Sequence, residues 1–476
     1  MSQICEDYYV SRGIKMPILA SFIVPHPPLI IPEIGGGEEL QIQNTVNAYH
    51  TIAKQIAELK PQTIIVISPH GVMYSDFFHI SPGPGGRGDM SRFRAPQVVM
   101  RKKYDSSLIY AIAEAAKKKD IPSGVVGQKD NSIDHGTLIP LYFVDQYYTD
   151  YELVRISISG LSLQEHYRFG ECVGNAANLM NRNVVIIASG DLSHKLGVVS
   201  PYGFAEEGPV FDRQITKAMA GANFMNFLTF DPEFTERASE CGLRSFIIMA
   251  GALDGLTVKS NLLSYEGPFG IGYAVCAFDP QSHDENRHFG VRLSAQRDKY
   301  LKNVREGEDL YVQLARIALE TYVRTMERMP APFDLPEELL EKKAGVFVSI
   351  KKDGRLRGCI GTIEPQTTCI AEEIIRNAIS SGTKDPRFDC ISDQELKHLE
   401  YSVDVLGTPE KIADKSTLDP KRYGVIVRSD LRQGILLPNL EGVDTVDRQI
   451  EIVLQKAGIR PGTPYDLERF EVIRHK

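Results

Sequence analysis

Three of the eleven histidines in this 476-residue chain sit just beyond aliphatic runs: His26 after ILASFIVP, His70 after TIIVISP and His194 after VVIIASGDLS. Neutral imidazole is the commonest nitrogen ligand for first-row metals, and it also carries protons near neutral pH. If the aliphatic runs are parallel strands, their carboxyl ends open onto one crevice, where such sheets bind ligands. One histidine after a strand is usually an ordinary loop residue; three in the same topological position point to a shared site. A fourth, His135 in DNSIDHGTLIPL, lies in a polar turn ahead of an apolar segment and can reach the same crevice.

Two histidines and one carboxylate leave adjacent positions open on Fe(II), the arrangement of non-haem oxygenases. The carboxylate is best sought at Glu240, where ERASECG runs into LRSFIIMAGAL. The alternative role for Glu240 is to support a helix N-terminus. Cys241 is next to it and is an alternative, softer ligand.

The elements that must position these residues read as an α/β fold. Short β-rich runs alternate with helical patterns over residues 17–280, as in a parallel or mixed sheet with flanking helices. Strands are expected at 18–24, 63–68, 153–158, 184–189 and 273–278, and helices at 38–59, 164–181 and 244–253. SPGPGGRG, residues 81–88, reads as an exposed loop and lacks the phosphate-cradling pattern. Residues 281–308 turn polar and read as a linker. The divisions expected are therefore 1–280, 281–308 and a smaller α+β domain over 309–476. In the last, helices are expected at 310–326, 369–380 (closed by Gly382) and 445–457 (closed by Gly458, with Pro461 beyond), and a strand at 345–351.

Hydrophobic residues make up 42% and charged residues 24%, with a net charge of −8, an ordinary globular composition. It carries no basic footprint for nucleic acid, no polybasic segment for an anionic membrane and no run long enough for a membrane span. The start, MSQICEDYYVSRGIK, does not read as a secretory signal. Seven cysteines, at 5, 172, 241, 276, 359, 369 and 390, include no C-x-x-C pair, so neither a zinc ribbon nor a disulfide framework is expected. The cytoplasm is the expected compartment, and a homo-oligomer is left open.

PHPPL (25–29), SPHG (68–71), DHGTLIPL (134–141), SGDLSH (189–194) and the ECG…IMAGAL stretch together resemble the class III extradiol dioxygenases, the LigB-like group, and also the Memo family on the same scaffold. The resemblance implies His26, His70 and Glu240 as iron ligands, His194 as the acid/base and His135 as the residue orienting substrate or oxygen. Asp191 matches an acidic position of Memo-like sequences, and Cys241 falls at the Memo ligand position. The activity implied is Fe(II)-dependent opening of a small catechol-like aromatic by O2, beside its two hydroxyls. The alternatives are a Memo-like metal-binding or redox protein, with copper or zinc favoured by a thiolate, and zinc-assisted hydrolysis.

Beyond residue 308, GRLRGCIGT (354–362) places glycines where tight turns or close backbone approach are expected, with Cys359 close in sequence to Arg355 and Arg357. Nearby cations can make a thiol reactive; a small buried residue is the equally open alternative. LRGCIGT, TKDPRFD and QKAGI resemble the AMMECR domain family. The fusion resembles protein A of AmmeMemoRadiSam systems, which implies Memo-like and radical SAM proteins as partners.

Overall fold

The computed structural model describes residues 16–127, 131–198, 200–352, 354–429, 432–440, 442–460 and 462–476. The starting segment with its Cys5, and Pro461, lie outside the described residues. The chain divides into two compact units, Met1–Ser294 and Ala295–Lys476. Among the described residues no helix is long and apolar enough to cross a membrane.

The first unit contains β1 (Ile18–Val24), α1 (Gln43–Leu59), β2 (Thr63–Ser68), β3 (Gly85–Met90), β4 (Ala95–Lys103), α2 (His135–Val144), β5 (Glu152–Ser157), α3 (Leu163–Leu179), β6 (Val184–Ser189), α4 (Leu243–Ala252), β7 (Leu256–Glu266) and β8 (Tyr273–His283). Six strands form one sheet in the order β5-β2-β6-β1-β8-β7. The first four are parallel, and β8 and β7 add antiparallel neighbours. β2 and β6 are buried at every position, which is why they read as continuous aliphatic runs rather than alternating ones. α1 packs on α2, with the Tyr49 and Phe143 rings stacked at 4.4 Å. α3 and α4 meet at glycines: a Cβ on Gly170 would lie 2.1 Å from the Ile248 carbonyl oxygen.

The register lines up the carboxyl ends. Val24 pairs with Ser189, and Ile67 with Ala188. β1 and β2 therefore flank β6, and each carries a histidine two residues past its end. The Tyr49 hydroxyl donates to the Pro25 carbonyl and ties down the backbone just before His26.

The second unit holds α6 (Leu310–Thr325), β9 (Val346–Lys352), β10 (Arg355–Gly361), α7 (Ile370–Thr383), β11 (Leu399–Leu406), β12 (Glu410–Ile412), β13 (Gly424–Ser429), β14 (Arg432–Leu436), α8 (Val446–Ala457), β15 (Asp466–Phe470) and β16 (Val472–His475). Its antiparallel sheets run β10-β9-β11-β16 and β12-β15-β13-β14. Val346, Val348 and Ile350 point inward from β9 onto the core with α6 and α7.

Three expectations are corrected, and the close approach expected of the GRLRGCIGT glycines is found. Residues 281–308 are not irregular chain: β8 continues to His283, and α5 (Phe289–Gly307) follows as a helix whose residues are mostly exposed, so polar composition masked it. The 81–88 segment is loop only in its first half. Gly85 and Gly88 belong to β3, where a Cβ would lie 2.3 Å from the Lys102 and Ile133 carbonyl oxygens respectively. α7 runs through Gly382 to Thr383, because that glycine makes room for Leu319 rather than stopping the helix. GRLRGCIGT forms strand β10, and its glycines serve close approach. A Cβ on Gly358 would meet the Ser381 carbonyl oxygen at 2.1 Å, and one on Gly361 would meet the Phe347 ring at 2.2 Å.

Candidate metal centre

Sequence brings His26, His70 and Cys241 from three separate loops, and the fold gathers them. Each offers one donor atom, and the three lie within 4.8 Å of one another. His26 Nε2 is 2.9 Å from His70 Nε2 and 3.6 Å from Cys241 Sγ. Ligands held about 2.0–2.3 Å from a shared ion stand roughly 3–4 Å apart, so this donor set fits a first-row metal. His26 is buried, Cys241 half-buried and His70 exposed, which leaves the group accessible from one side.

The surrounding residues orient the donors. Ser189 ends β6 and places its hydroxyl 2.9 Å from His26 Nδ1. With Nε2 turned to the cluster, Nδ1–H donates to that hydroxyl, the usual support for a ligating imidazole. The His26 backbone N–H donates to the Asp191 carboxylate at 2.7 Å. The Asp191 N–H donates to Cys241 Sγ at 3.2 Å, and the Asp191 carbonyl accepts from Gly242 at 3.1 Å. Asp191 thus clamps two of the three donor segments. Burial raises its own pKa, opposed by His194 and by the His26 N–H.

Burial, and then the His70 charge, hold His26 well below its ordinary value. Burial lowers His70 as well. His135 falls to about 3 through burial and then through His70 and His26. All three imidazoles are therefore neutral at neutral pH, the state that binds metals. Burial, Asp191 and Glu240 push the Cys241 thiol well up, so an ion binding there displaces a proton.

Of the two adjacent candidates for the third donor, Cys241 is the one turned toward the histidines. Glu240 is outside the donor group. Its carboxylate accepts the Leu243 backbone N–H at 2.6 Å and lies against the start of α4. α4 has no side-chain cap from its N-cap residue Gly242, so the carboxylate satisfies an orphan donor that would otherwise be unpaired.

His194 and His135 stand beside the group and are not part of it. His194 Nδ1 donates to the Ser239 carbonyl at 2.6 Å, which leaves Nε2 as the lone-pair nitrogen, 3.9 Å from the Asp191 carboxylate. The Tyr202 ring meets His194 edge-on at 5.2 Å. The His135 ring is 4.1 Å from His70 and 5.3 Å from Phe93. His135 opens α2, whose N-cap Asp134 accepts from the Thr137 N–H at 3.0 Å and from the Ser68 hydroxyl at 2.5 Å and pairs with Arg155 at 3.0 Å. Burial works against that carboxylate's charge, but Arg155, Ser68 and Thr137 hold its pKa below the usual range.

Sequence reasoning missed Ser189, Asp134, Phe93 and Tyr202. Two had a signal: Ser189 is the last residue of VVIIAS before the GDLSH turn, and Asp134 with Thr137 forms a helix-capping spacing.

In the second unit, Cys359 stands opposite Ser349 on β9, whose hydroxyl donates to Sγ at 3.2 Å. Its backbone N–H donates to Asp385 at 2.9 Å. Arg357 does not serve the thiol: it makes a two-pronged pair with Glu395 at 3.0 and 3.1 Å and donates to the Asp389 carbonyl at 2.9 Å.

Comparison with known proteins agrees with this division. Residues 20–276 match the family of the catalytic LigB subunit of aromatic ring-opening dioxygenase, and residues 312–475 match AMMECR1. A Clostridium acetobutylicum protein is 43% identical over 97% of this chain and 100% of its own length. A Thermotoga maritima protein is 48% identical over 36% of this chain and 99% of its own. A Pyrococcus horikoshii crystal structure is 30% identical, with a TM-score of 0.33, over 36% of this chain and 90% of that one. With a LigB match across more than half its length, the chain belongs to the LigB family of the dioxygenase-like superfamily, fused to an AMMECR1 domain.

Proposed function

We propose that the first unit is a metal-dependent oxidoreductase whose ion is held by His26, His70 and Cys241, a Memo-like redox site rather than a carboxylate facial triad. The observation that carries this reading is the convergence of those three donor atoms within 4.8 Å while the Glu240 carboxylate is turned to a helix N-terminus. Two imidazoles and a thiolate make a softer set than two imidazoles and a carboxylate, which favours copper or zinc over Fe(II). Bound copper would supply one-electron chemistry toward O2 or a phenol.

The chain's own residues supply the rest. His194 Nε2 takes the proton of a substrate hydroxyl, and Asp191, 3.9 Å away, stabilises the imidazolium that forms. His135 is neutral and orients the substrate beside His70. A reducing compartment such as the cytoplasm is supported by the six described cysteines, all free. Memo-like and radical SAM partners rest on resemblance alone.

A second reading, Fe(II)-dependent extradiol opening of a catechol by O2, draws its support from the LigB match. The test is anaerobic reconstitution of metal-free protein with equal copper, zinc and Fe(II), followed by metal analysis and oxygen uptake with simple catechols. Stoichiometric copper without ring-opened product supports the first reading, whereas zinc alone, which has no redox chemistry, would keep the ligand set and remove the oxidoreductase. Preferential Fe(II) retention with catechol-dependent oxygen consumption replaces it with the second.

A further inference from the structure

Residues 85–103, the β3–β4 hairpin, carry Arg87, Arg92, Arg94, Arg101, Lys102 and Lys103 against a single carboxylate, Asp89, in a chain whose net charge is −8. Lys102 is neutralised by Asp145 at 2.6 Å. The other five cations are exposed, and none forms a salt bridge among the described residues. Arg87 and Arg101 stand directly opposite each other in the ladder. Arg87 is fixed there by backbone bonds, its N–H to the Asn131 carbonyl at 2.8 Å and its carbonyl from the Ile133 N–H at 2.9 Å. Directly opposed like charges destabilise a sheet, so the hairpin bears a cost that a bound anion relieves.

The hairpin also leads somewhere. Phe93 at its tip packs its ring 5.3 Å from His135, beside the candidate metal centre. Exposed apolar side chains follow two of the three strand-end histidines: Met73 after His70, and Tyr202 and Phe204 after His194. Uncompensated cations beside exposed apolar residues make a surface suited to a protein partner rather than to solvent.

We propose that the outer face of this hairpin docks an acidic polypeptide segment of another protein and directs it toward the crevice of the first unit. A nine-residue strand extends about 30 Å, so the cations of β4 and of the tip are too widely spaced for one small anion. Nucleic acid is disfavoured because binding to single strands uses rows of aromatic stacking platforms, and the hairpin offers only Phe93, already packed on His135. Docking itself does not depend on the metal.

The probe is a fluorescein-labelled oligoglutamate peptide, read by anisotropy on the full chain with and without metal. Saturable binding is expected at about 50 mM salt, weakening about tenfold or more by about 200 mM. Arg87→Glu and Arg101→Glu should each weaken it about tenfold while raising the melting temperature, since each turns the repulsive pair into an attractive one. Lys217→Glu, on a helix elsewhere in the unit, should leave binding unchanged. Absence of saturable binding, unaltered binding in both hairpin variants, or equal loss in Lys217→Glu would overturn the proposal. Tighter binding of an oligothymidylate of equal charge would overturn it in favour of a nucleic-acid surface. Peptide binding that persists in protein unable to hold metal leaves this inference standing while the metal-centre reading falls.

Discussion

Asp212 anchors the turn that carries His194, and its burial makes a pH signature. Its carboxylate accepts the Ser193 backbone N–H at 2.9 Å and the Tyr265 hydroxyl at 2.8 Å, and the residue is 1% exposed. Burial outweighs both hydrogen bonds and raises its pKa to about 7. The unfolded carboxyl titrates at about 3.9. Between these values the folded protein holds a proton that the unfolded chain has released, so stability is full below the lower value and is lost as pH rises through the upper. The gap between the two values corresponds to at most about 4 kcal/mol, or about 6 °C in Tm for a unit of this size. Asp212→Asn keeps an acceptor for Ser193 and cannot ionise. The assay is thermal unfolding of both proteins from acid to mildly alkaline pH, taking the difference so that shared titrations cancel. The variant should gain steadily on the parent as pH rises from about 4 to about 7 and level off above. A difference that stays flat with pH would refute the assignment of a buried, proton-binding carboxyl.

Ser189→Ala removes the hydroxyl that orients His26 and should weaken metal affinity by about 10–100-fold with little change in Tm; titration against a competing chelator measures it, and unchanged affinity removes the positioning role. Gly358→Ala forces a Cβ to within 2.1 Å of the Ser381 carbonyl oxygen and should destabilise the second unit by about 1–3 kcal/mol. Differential scanning calorimetry reads this as a lowered transition, and an unshifted transition would mean that β10 and α7 separate freely.

The parallel strands were legible because they are buried on both faces: Thr63–Ser68 and Val184–Ser189 hold no polar alternation to mislead. Their shared carboxyl ends then located His26, His70 and His194 without any contact information. What sequence could not resolve is direction. Glu240 and Cys241 are adjacent, and only the turn into α4 decides that the thiol faces His26 while the carboxylate meets the Leu243 N–H. Glycines misled twice for the same reason. At Gly85 and Gly88 in β3 and at Gly382 they answer to a neighbouring carbonyl or side chain, which no local pattern reports. α5 was hidden because its exposed polar surface erases the apolar stripe by which helices are found.

The account turns on which side chain completes the metal site with His26 and His70, and metal occupancy in two variants tests it most directly. Cys241→Ser and Glu240→Gln are each reconstituted anaerobically, and bound metal per chain is measured alongside Tm. Cys241→Ser should lose most of its metal at unchanged fold, because Sγ is one of the three converging donors. Glu240→Gln should keep its metal and lose about 0.3–1 kcal/mol of stability, the worth of a charge at a helix N-terminus. Full occupancy in Cys241→Ser together with an empty Glu240→Gln would contradict the account and restore the carboxylate to the metal.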